Sequence, residues 1–285
     1  MDPILFIQVT VNGLCIGLIL ALVALGLSLT FGKLKIINLS HLLFYALGAY
    51  IVYTSSMLWN NFLYGILIGF LVCFTLGALS EIALRRLYGR SIEYTLICTQ
   101  GLLLIGTDFI KRIWGLDFKA VVPPSELRII IPFLGMEFYR IFVALACLIS
   151  FLTMTLFFKK TMWGKIIVAF IDNDEHLQAI GINPNIATLM IFAIGSALAA
   201  LGGGLHAPIS APYPYMAMEM TGYTFATIVV GGLGSIMGTV VGGIILGLAY
   251  AYSGFIQPYL SPIVVFVTMF IILVLRPEGL LGSRT

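Results

Sequence analysis

Residues 4–31 read ILFIQVTVNGLCIGLILALVALGLSLTF and contain no charged side chain. A helix that crosses the hydrocarbon core of a bilayer, ~30 Å thick, needs about 20 apolar residues, so this run is long enough to cross. It is too long for the apolar region of a cleavable signal peptide, and no basic segment precedes it. The run therefore predicts a transmembrane helix near the N-terminus.

The composition of the chain agrees with this prediction. Hydrophobic residues make up 60% of the 285 positions and charged residues 9%, and the mean hydropathy is +1.09. A soluble domain has about 25% charged residues, so this chain cannot cover itself with polar side chains. These values exclude a soluble enzyme, a disordered protein and a nucleic-acid-binding protein, and the small net charge of +3 indicates no anionic partner.

Other apolar runs are also long enough to cross a bilayer, and their continuity favours helices. One further segment, 213–231, contains Pro214 and Glu219 and is interpreted as a broken or partly re-entrant helix. The expected fold class is all-α: a polytopic transmembrane helical bundle of eight to nine spans with broken or re-entrant helices. The eight clear spans are 4–31, 36–58, 61–84, 94–113, 139–158, 187–205, 236–256 and 259–275.

Lysine and arginine indicate which loops face the cytoplasm. With the N-terminus outside, ten of these residues fall on the inner side and five on the outer side. Nine crossings place the C-terminus inside, whereas eight place it outside. Two longer connections are expected, an outer loop at about 114–138 and an inner loop at about 159–186, and neither is long enough to fold as a separate domain.

The inner loop contains the pattern of a short capped helix. Asp172 or Asn173 can cap its N-terminus, and Asp174 and Glu175 then lie in the first turn, where the helix dipole favours negative charge. Gly181 supplies a stop at its C-terminus. On these residues alone the helix is either an ordinary connector or a docking helix for a cytoplasmic partner.

A second pattern, the run from 231 to 243, is rich in glycine. It lacks the Lys-Ser/Thr pair of a phosphate-binding loop, so it does not indicate nucleotide binding. Gly234, Gly238 and Gly242 recur every four residues, which predicts one helix face that another helix can approach closely. The pair Gly231-Gly232 permits a helix break beside a water-filled path.

Polar residues open the second apolar run. Asn38 or Ser40 can cap the new helix, and Asn38 and His41 share a helix face because they are three positions apart. These residues predict a polar patch that is directed toward the interior of the bundle. Alternatively, His41 is only a hydrogen-bonded residue at a helix start.

Isolated polar residues inside the other runs are also candidates for function. Asp108 precedes Lys111, and Glu81 precedes Arg85, so both acidic residues are interpreted as members of interfacial ion pairs. Glu219 has no local basic partner, and it either faces a water-filled cavity near the outer mouth or pairs elsewhere in the bundle. No residue pattern of a catalytic or metal site is present. The isolated candidates are Asn12, Gln100, Asp108, His206 and Glu219.

Taken in order, several segments resemble the integral-membrane permease subunits of branched-chain amino acid ABC importers, over nearly the whole chain. The resemblance implies a single transmembrane permease domain, 1–285, that forms the path for branched-chain amino acids or a related small amino acid or amide. The segments are 12–32, the Ile-Ile-Asn-Leu-Ser-His run at 36–41, Leu-Gly-Ala-Tyr at 47–50, the glycine run from 231 to 243, and Leu-Arg-Pro-Glu-Gly-Leu-Leu-Gly at 275–282.

The resemblance also implies partners. They are a second permease subunit in a heterodimer, two ATP-binding-cassette ATPase subunits, an extracytoplasmic solute-binding protein and membrane lipid, but no nucleic acid. ATP and Mg²⁺ belong to the partner subunits, so the chain itself holds no cofactor and is not an enzyme. The implied location is the inner membrane of a prokaryote.

In that family the inner loop carries a coupling helix related to Glu-Ala-Ala-x-x-x-Gly. Glu175 and Gly181 keep its spacing, while His176 and Leu177 replace the alanines. The residues expected to couple to the ATPase are Asp172, Asp174, Glu175 and Gly181. The residues expected along the translocation path are Asn12, Asn38, Ser40, His41, Gly231, Gly232, Gly234 and Ser235.

The alternative function is a stand-alone secondary transporter or channel for a small solute. It predicts transport without ATP and acidic or basic residues deep in several spans, and the sequence offers few of these.

Overall fold

The protein forms a helical bundle in a computed structural model that describes residues 3–34, 36–132, 135–172 and 181–282. Each of the nine predicted apolar segments contains a helix, and six of the helices are long and apolar enough to cross a membrane. The all-α membrane bundle is therefore confirmed. The helices are α1 Pro3–Leu34, α2 His41–Trp59, α3 Phe62–Leu84, α4 Ile92–Trp114, α5 Phe138–Lys160, α6 Met162–Asp172, α7 Pro184–His206, α8 Met216–Gly231, α9 Ile236–Ile256 and α10 Leu260–Leu275.

Helix α1 lies at the centre of the bundle, and α7 and α9 pack along it. Glycines set the distance to α9: a Cβ atom on Gly17 would lie 2.6 Å from the carbonyl oxygen of Gly243. Gly13 meets Gly247 one turn further along, so the two helices run antiparallel. Small residues allow such backbone contact in lipid, where apolar side chains gain nothing by leaving the solvent.

We call the end of the bundle where α1 begins the outer end and the opposite end the inner end, after the predicted orientation. Helix α2 begins far from the inner end, because Ile36–Ser40 is a non-helical segment that leads back into the bundle. His41, its first residue, packs beside Gly26 on α1 and beside Gly195, at the middle of α7. The predicted span from residue 36 is therefore wrong at its start.

The predicted cap of α2 is also wrong. The Ser40 side chain makes no capping hydrogen bond to the helix backbone, and its Oγ instead donates to Asn38 Oδ1 at 2.5 Å. Serine and asparagine side chains bond to each other or to local backbone in this way when they compete with regular structure. The His41 amide is satisfied by the Asn38 carbonyl at 3.2 Å, so a backbone turn starts the helix.

A sharp turn joins α8 to α9. Helix α8 is continuous and ends at Gly231, and the turn uses positive φ angles of 105° at Gly232 and 83° at Gly234. The predicted break at the glycine pair is therefore present. Gly234 lies in the turn, before α9 begins, so the prediction that it shares a helix face with Gly238 is wrong. Glycine adopts its positive φ angle without strain. Ser235 caps α9 by accepting from the Gly238 amide at 3.0 Å.

The inner loop contains a helix that the sequence pattern did not predict. Thr161 separates α5 from α6, and its Oγ1 accepts from the Gly164 amide at 3.0 Å. Ile167 and Phe170 on α6 are buried against the bundle. Asp172 is the last residue of α6, and its expected role as the N-cap of a following helix stays a prediction. The rest of that expected helix, 173–180, lies outside the described residues.

The outer loop is irregular, as its prolines predict. It contains a 3₁₀ turn, Ser125–Leu127, and a hairpin of two strands, β1 Ile130–Ile131 and β2 Met136–Glu137, in antiparallel register. The Lys119 amide donates to the Pro212 carbonyl at 2.8 Å and joins this loop to the segment before α8.

Candidate translocation site

The predicted polar patch lies in the middle of the bundle. Asn38, Ser40 and His41 are all buried, and His41 Nε2 lies 3.2 Å from the Val23 carbonyl oxygen. The patch faces inward as expected, although Asn38 precedes the helix and does not share a helical face with His41. In this structure the histidine ring therefore bonds to the backbone of α1.

A cavity of about 630 Å³ opens at the outer end of the bundle, and we call it the outer cavity. Asn12, on α1, and Arg140, on α5, line it, and an Arg140 Nη1 group donates to Asn12 Oδ1. The Tyr139 hydroxyl donates to the Leu205 carbonyl at 2.7 Å and anchors α5 to α7 beside the cavity. The outer entrance therefore carries one basic and one acidic side chain, Arg140 and Glu137.

A second cavity of about 280 Å³ lies deeper, and we call it the inner chamber. Ile209 lines both cavities, so they are neighbours. Tyr45 Oη and His206 Nδ1 lie 2.6 Å apart on its wall. The Tyr213 hydroxyl donates to Glu219 Oε2, which places a carboxylate in the same chamber.

The glycine turn lies at the inner end of the bundle. A Cβ atom on Gly234 would lie 3.2 Å from Cα of Gly32, near the end of α1. The segment after α10 covers this turn: the Leu280 amide donates to the Val230 carbonyl at 2.8 Å, and the Leu281 amide donates to the Gly231 carbonyl at 3.0 Å. Two segments that carry the sequence resemblance therefore form one unit, which no local sequence signal predicted.

The predicted path residues thus lie at three depths. Asn12 is at the outer cavity, residues 38–41 are in the middle, and residues 231–235 are at the inner end. The structure does not bring them into one pocket.

Comparison with known proteins identifies the family. The family model for the branched-chain amino acid transport system / permease component matches residues 9–273. The chain belongs to this permease family. It is 26% identical to the high-affinity branched-chain amino acid transport system permease protein LivH of Escherichia coli (strain K12), over 97% of this chain and 96% of that protein.

The permease is also similar to LivM of Escherichia coli (strain K12), a second permease protein of a high-affinity branched-chain amino acid transport system. The two are 24% identical over 98% of this chain and 71% of LivM. A solved structure, PsaBC from Streptococcus pneumoniae in complex with Fab, superimposes with a TM-score of 0.52 at 13% identity, covering 93% of this chain and 89% of that one. At that identity it bears on the fold alone.

The residues expected to couple the permease to an ATPase are described only in part. Asp174 and Glu175 lie outside the described residues. Gly181 has a φ angle of 78°, which is the conformation glycine favours after a helix end. The Asn183 side chain then accepts from the Asn185 amide at 2.9 Å and caps α7.

Both predicted local ion pairs are present in the permease. Asp108 Oδ1 lies 2.8 Å from Lys111 Nζ, and the wholly buried Glu81 lies 2.7 Å from Arg85. Tyr88 donates to Glu81 at 3.1 Å just beyond the end of this span, and burial, with the nearby Glu81 charge second, raises the pKa of its hydroxyl well above the usual value. Both acidic residues therefore have a structural role, as members of local ion pairs.

Sequence reasoning did not single out Tyr45 and Arg140, because each becomes notable only through a partner that is distant in sequence. Tyr45 lies in an apolar run, and Arg140 was counted only as an outer charge. No group of three His, Cys, Asp or Glu side chains among the described residues could hold a metal ion.

Proposed function

We propose that this permease is one of two different membrane subunits of an ATP-binding-cassette importer for branched-chain amino acids or a related small amino acid or amide. The observation that carries the proposal is the family match across residues 9–273. Similarity to both LivH and LivM supports pairing with a related second chain. Two ATPase subunits supply ATP and Mg²⁺, and a solute-binding protein delivers substrate at the outer face of a prokaryotic inner membrane.

We further propose nine crossings, with the N-terminus outside and the C-terminus inside. Helix α7 runs antiparallel to α1, since Gly195 lies beside Gly26 and Gly202 lies nearer to Val23. Helix α8 returns from the outer half of the bundle to the turn beside Gly32. These directions support a crossing by α8.

In this proposal substrate passes from the outer cavity into the inner chamber and leaves past the glycine turn, while the polar patch lies between. The coupling loop is the inner loop at 159–186, with Asp172, Asp174, Glu175 and Gly181 as its contact residues. Closure of the ATPase subunits moves this loop and shifts the permease pair between outward-open and inward-open states.

The test is the ATPase rate of the purified complex in nanodiscs, with the permease co-expressed with its partner permease and ATPase subunits. Binding protein loaded with leucine should stimulate ATP hydrolysis, and Glu175→Ala with Gly181→Leu should abolish the stimulation. The matched control is Glu126→Gln, on the outer 3₁₀ turn, which should leave it unchanged. Solute transport by this chain alone, driven by an ion gradient, would favour a secondary transporter instead.

A further inference from the structure

The inner chamber carries the most specific chemistry among the described cavities. Its volume of about 280 Å³ is close to the lower limit of small-molecule sites, ~300 Å³. It combines a carboxylate, phenol hydroxyls and an imidazole with apolar side chains from α1, α8 and the connection that precedes α8. Such a mixture is typical of a site that fixes the orientation of a small amphipathic ligand.

The charge in this chamber is negative and lacks a basic partner. Glu219 is exposed to the cavity, and no ion pair to it is formed within the described ranges. Its one hydrogen-bond partner is the Tyr213 hydroxyl. Tyr223 and Tyr250 also line the chamber, with ring centroids 5.9 Å apart. A carboxylate beside tyrosine rings favours a primary ammonium group, through a charge-assisted hydrogen bond and cation–π attraction.

The wall of the inner chamber that lies nearest the outer cavity offers hydrogen-bond donors. When Tyr45 donates to Nδ1 of His206, the imidazole carries its proton on Nε2, which has no partner in the described part of the chain. The Ser210 hydroxyl lines the same wall, and Arg140 lies in the neighbouring cavity, across Ile209. These groups favour a carboxylate against the part of the chamber wall that His206 and Ser210 form.

We propose that the inner chamber binds the zwitterionic amino acid during its passage. Glu219 accepts from the ammonium group, the His206 and Ser210 wall donates to the carboxylate, and the aliphatic side chain lies against Leu20, Met216 and Met220. This inference rests on the proposed function, because the branched-chain substrate comes from it. It assigns recognition of the substrate to the membrane subunit as well as to the binding protein.

The test measures protection of a cysteine in the chamber. Ile209→Cys, at a position that lines the chamber but has no assigned contact with the substrate, is placed in a complex whose four native cysteines, Cys15, Cys73, Cys98 and Cys147, are replaced by alanine. The complex is assembled without binding protein, and labelling by N-ethylmaleimide is timed. This reagent is neutral, so a change of charge at Glu219 does not alter its local concentration.

Leucine should slow the labelling. Isoamylamine, which keeps the ammonium group, should protect better than 4-methylpentanoate, which lacks it. Glu219→Gln should raise the half-protecting leucine concentration by about tenfold or more, since hydrogen bonds to charged groups are the stronger ones. The matched control, Glu126→Gln, should leave that concentration unchanged.

The inference is overturned if leucine gives no protection, if 4-methylpentanoate protects as well as leucine, or if Glu219→Gln has no effect. ATPase stimulation of the same complex by loaded binding protein is measured in parallel. ATPase stimulation without protection by leucine would overturn the proposal that the inner chamber binds substrate, and it would leave the proposed function intact. Protection by leucine without ATPase stimulation would support substrate binding in the inner chamber and would count against the ATP-driven function.

Discussion

At the scale of single residues, glycine fixes how closely the central helices approach. A Cβ atom on Gly243 would lie 2.6 Å from the Gly17 carbonyl oxygen and 2.7 Å from the Ala21 side chain. The backbones of α1 and α9 therefore touch without an intervening side chain. One methyl group added to either helix at this contact would force the two backbones apart.

Gly243→Ala should lower the thermal unfolding midpoint of the detergent-solubilised permease. Overpacking a close contact costs about 1–3 kcal/mol, and backbone contacts cannot rotate away. Gly101→Ala is the control, because a Cβ atom there meets nothing within 4 Å. It should leave the midpoint equal or higher, since alanine is the better helix former. Equal midpoints for the two variants would contradict the close approach.

At the scale of elements, the closing segment completes the turn between α8 and α9. Gly279 has a φ angle of 80°, and a Cβ atom on it would lie 2.6 Å from Gly232. Leu280 and Leu281 then donate to the end of α8. Backbone bonding of this kind satisfies carbonyl groups that the helix end leaves free.

Gly279→Ala should therefore destabilise more than Gly89→Ala. Both glycines have similar positive φ angles, 80° and 77°, so both variants bear the left-handed strain of about 1–2 kcal/mol. At Gly89 a Cβ atom meets nothing within 4 Å, whereas at Gly279 it displaces the segment from the turn. Limited chymotrypsin cleavage after Leu281, in the closing segment, measures the difference. Equal cleavage rates would show that the segment does not depend on this contact.

At the scale of the whole molecule, the direction of α8 decides the topology. With nine crossings, the α9–α10 connection lies outside and the segment after α10 lies inside. With eight crossings, both positions exchange sides. Two single-cysteine variants of the permease, one in each segment, therefore separate the alternatives.

Gln257→Cys should react with a membrane-impermeant maleimide added to intact cells, whereas Glu278→Cys should react only after permeabilisation. The reverse pattern would establish eight crossings and a C-terminus outside. Ser125→Cys, in the outer loop, is the control for outer labelling under either topology.

The sequence predicted features that depend on nearby residues and missed those that depend on distant ones. The apolar runs located the helices because lipid solvation acts on each segment separately. The cap prediction placed the start of α2 directly after Ser40, where the helix does begin, but the expected capping hydrogen bond was wrong because Ser40 donates to Asn38 instead. The sequence singled out Asn12, His206 and Glu219, and Glu219 does face a cavity. It missed the partners Arg140 and Tyr45, because Asn12 and Arg140, like Tyr45 and His206, meet only in the folded bundle.

The non-helical segment before α2 has a consequence for biogenesis. The surroundings of His41 are complete only when α7 is in place, because Gly26, beside the His41 ring, packs against Gly195 on α7, and α7 is synthesised long after α2 has left the ribosome. Until then, the non-helical segment before α2 faces the translocon or lipid. Backbone groups without a hydrogen-bond partner cost free energy there. We therefore expect a nascent chain that ends before α7 to leave the segment before α2 without its native packing partner.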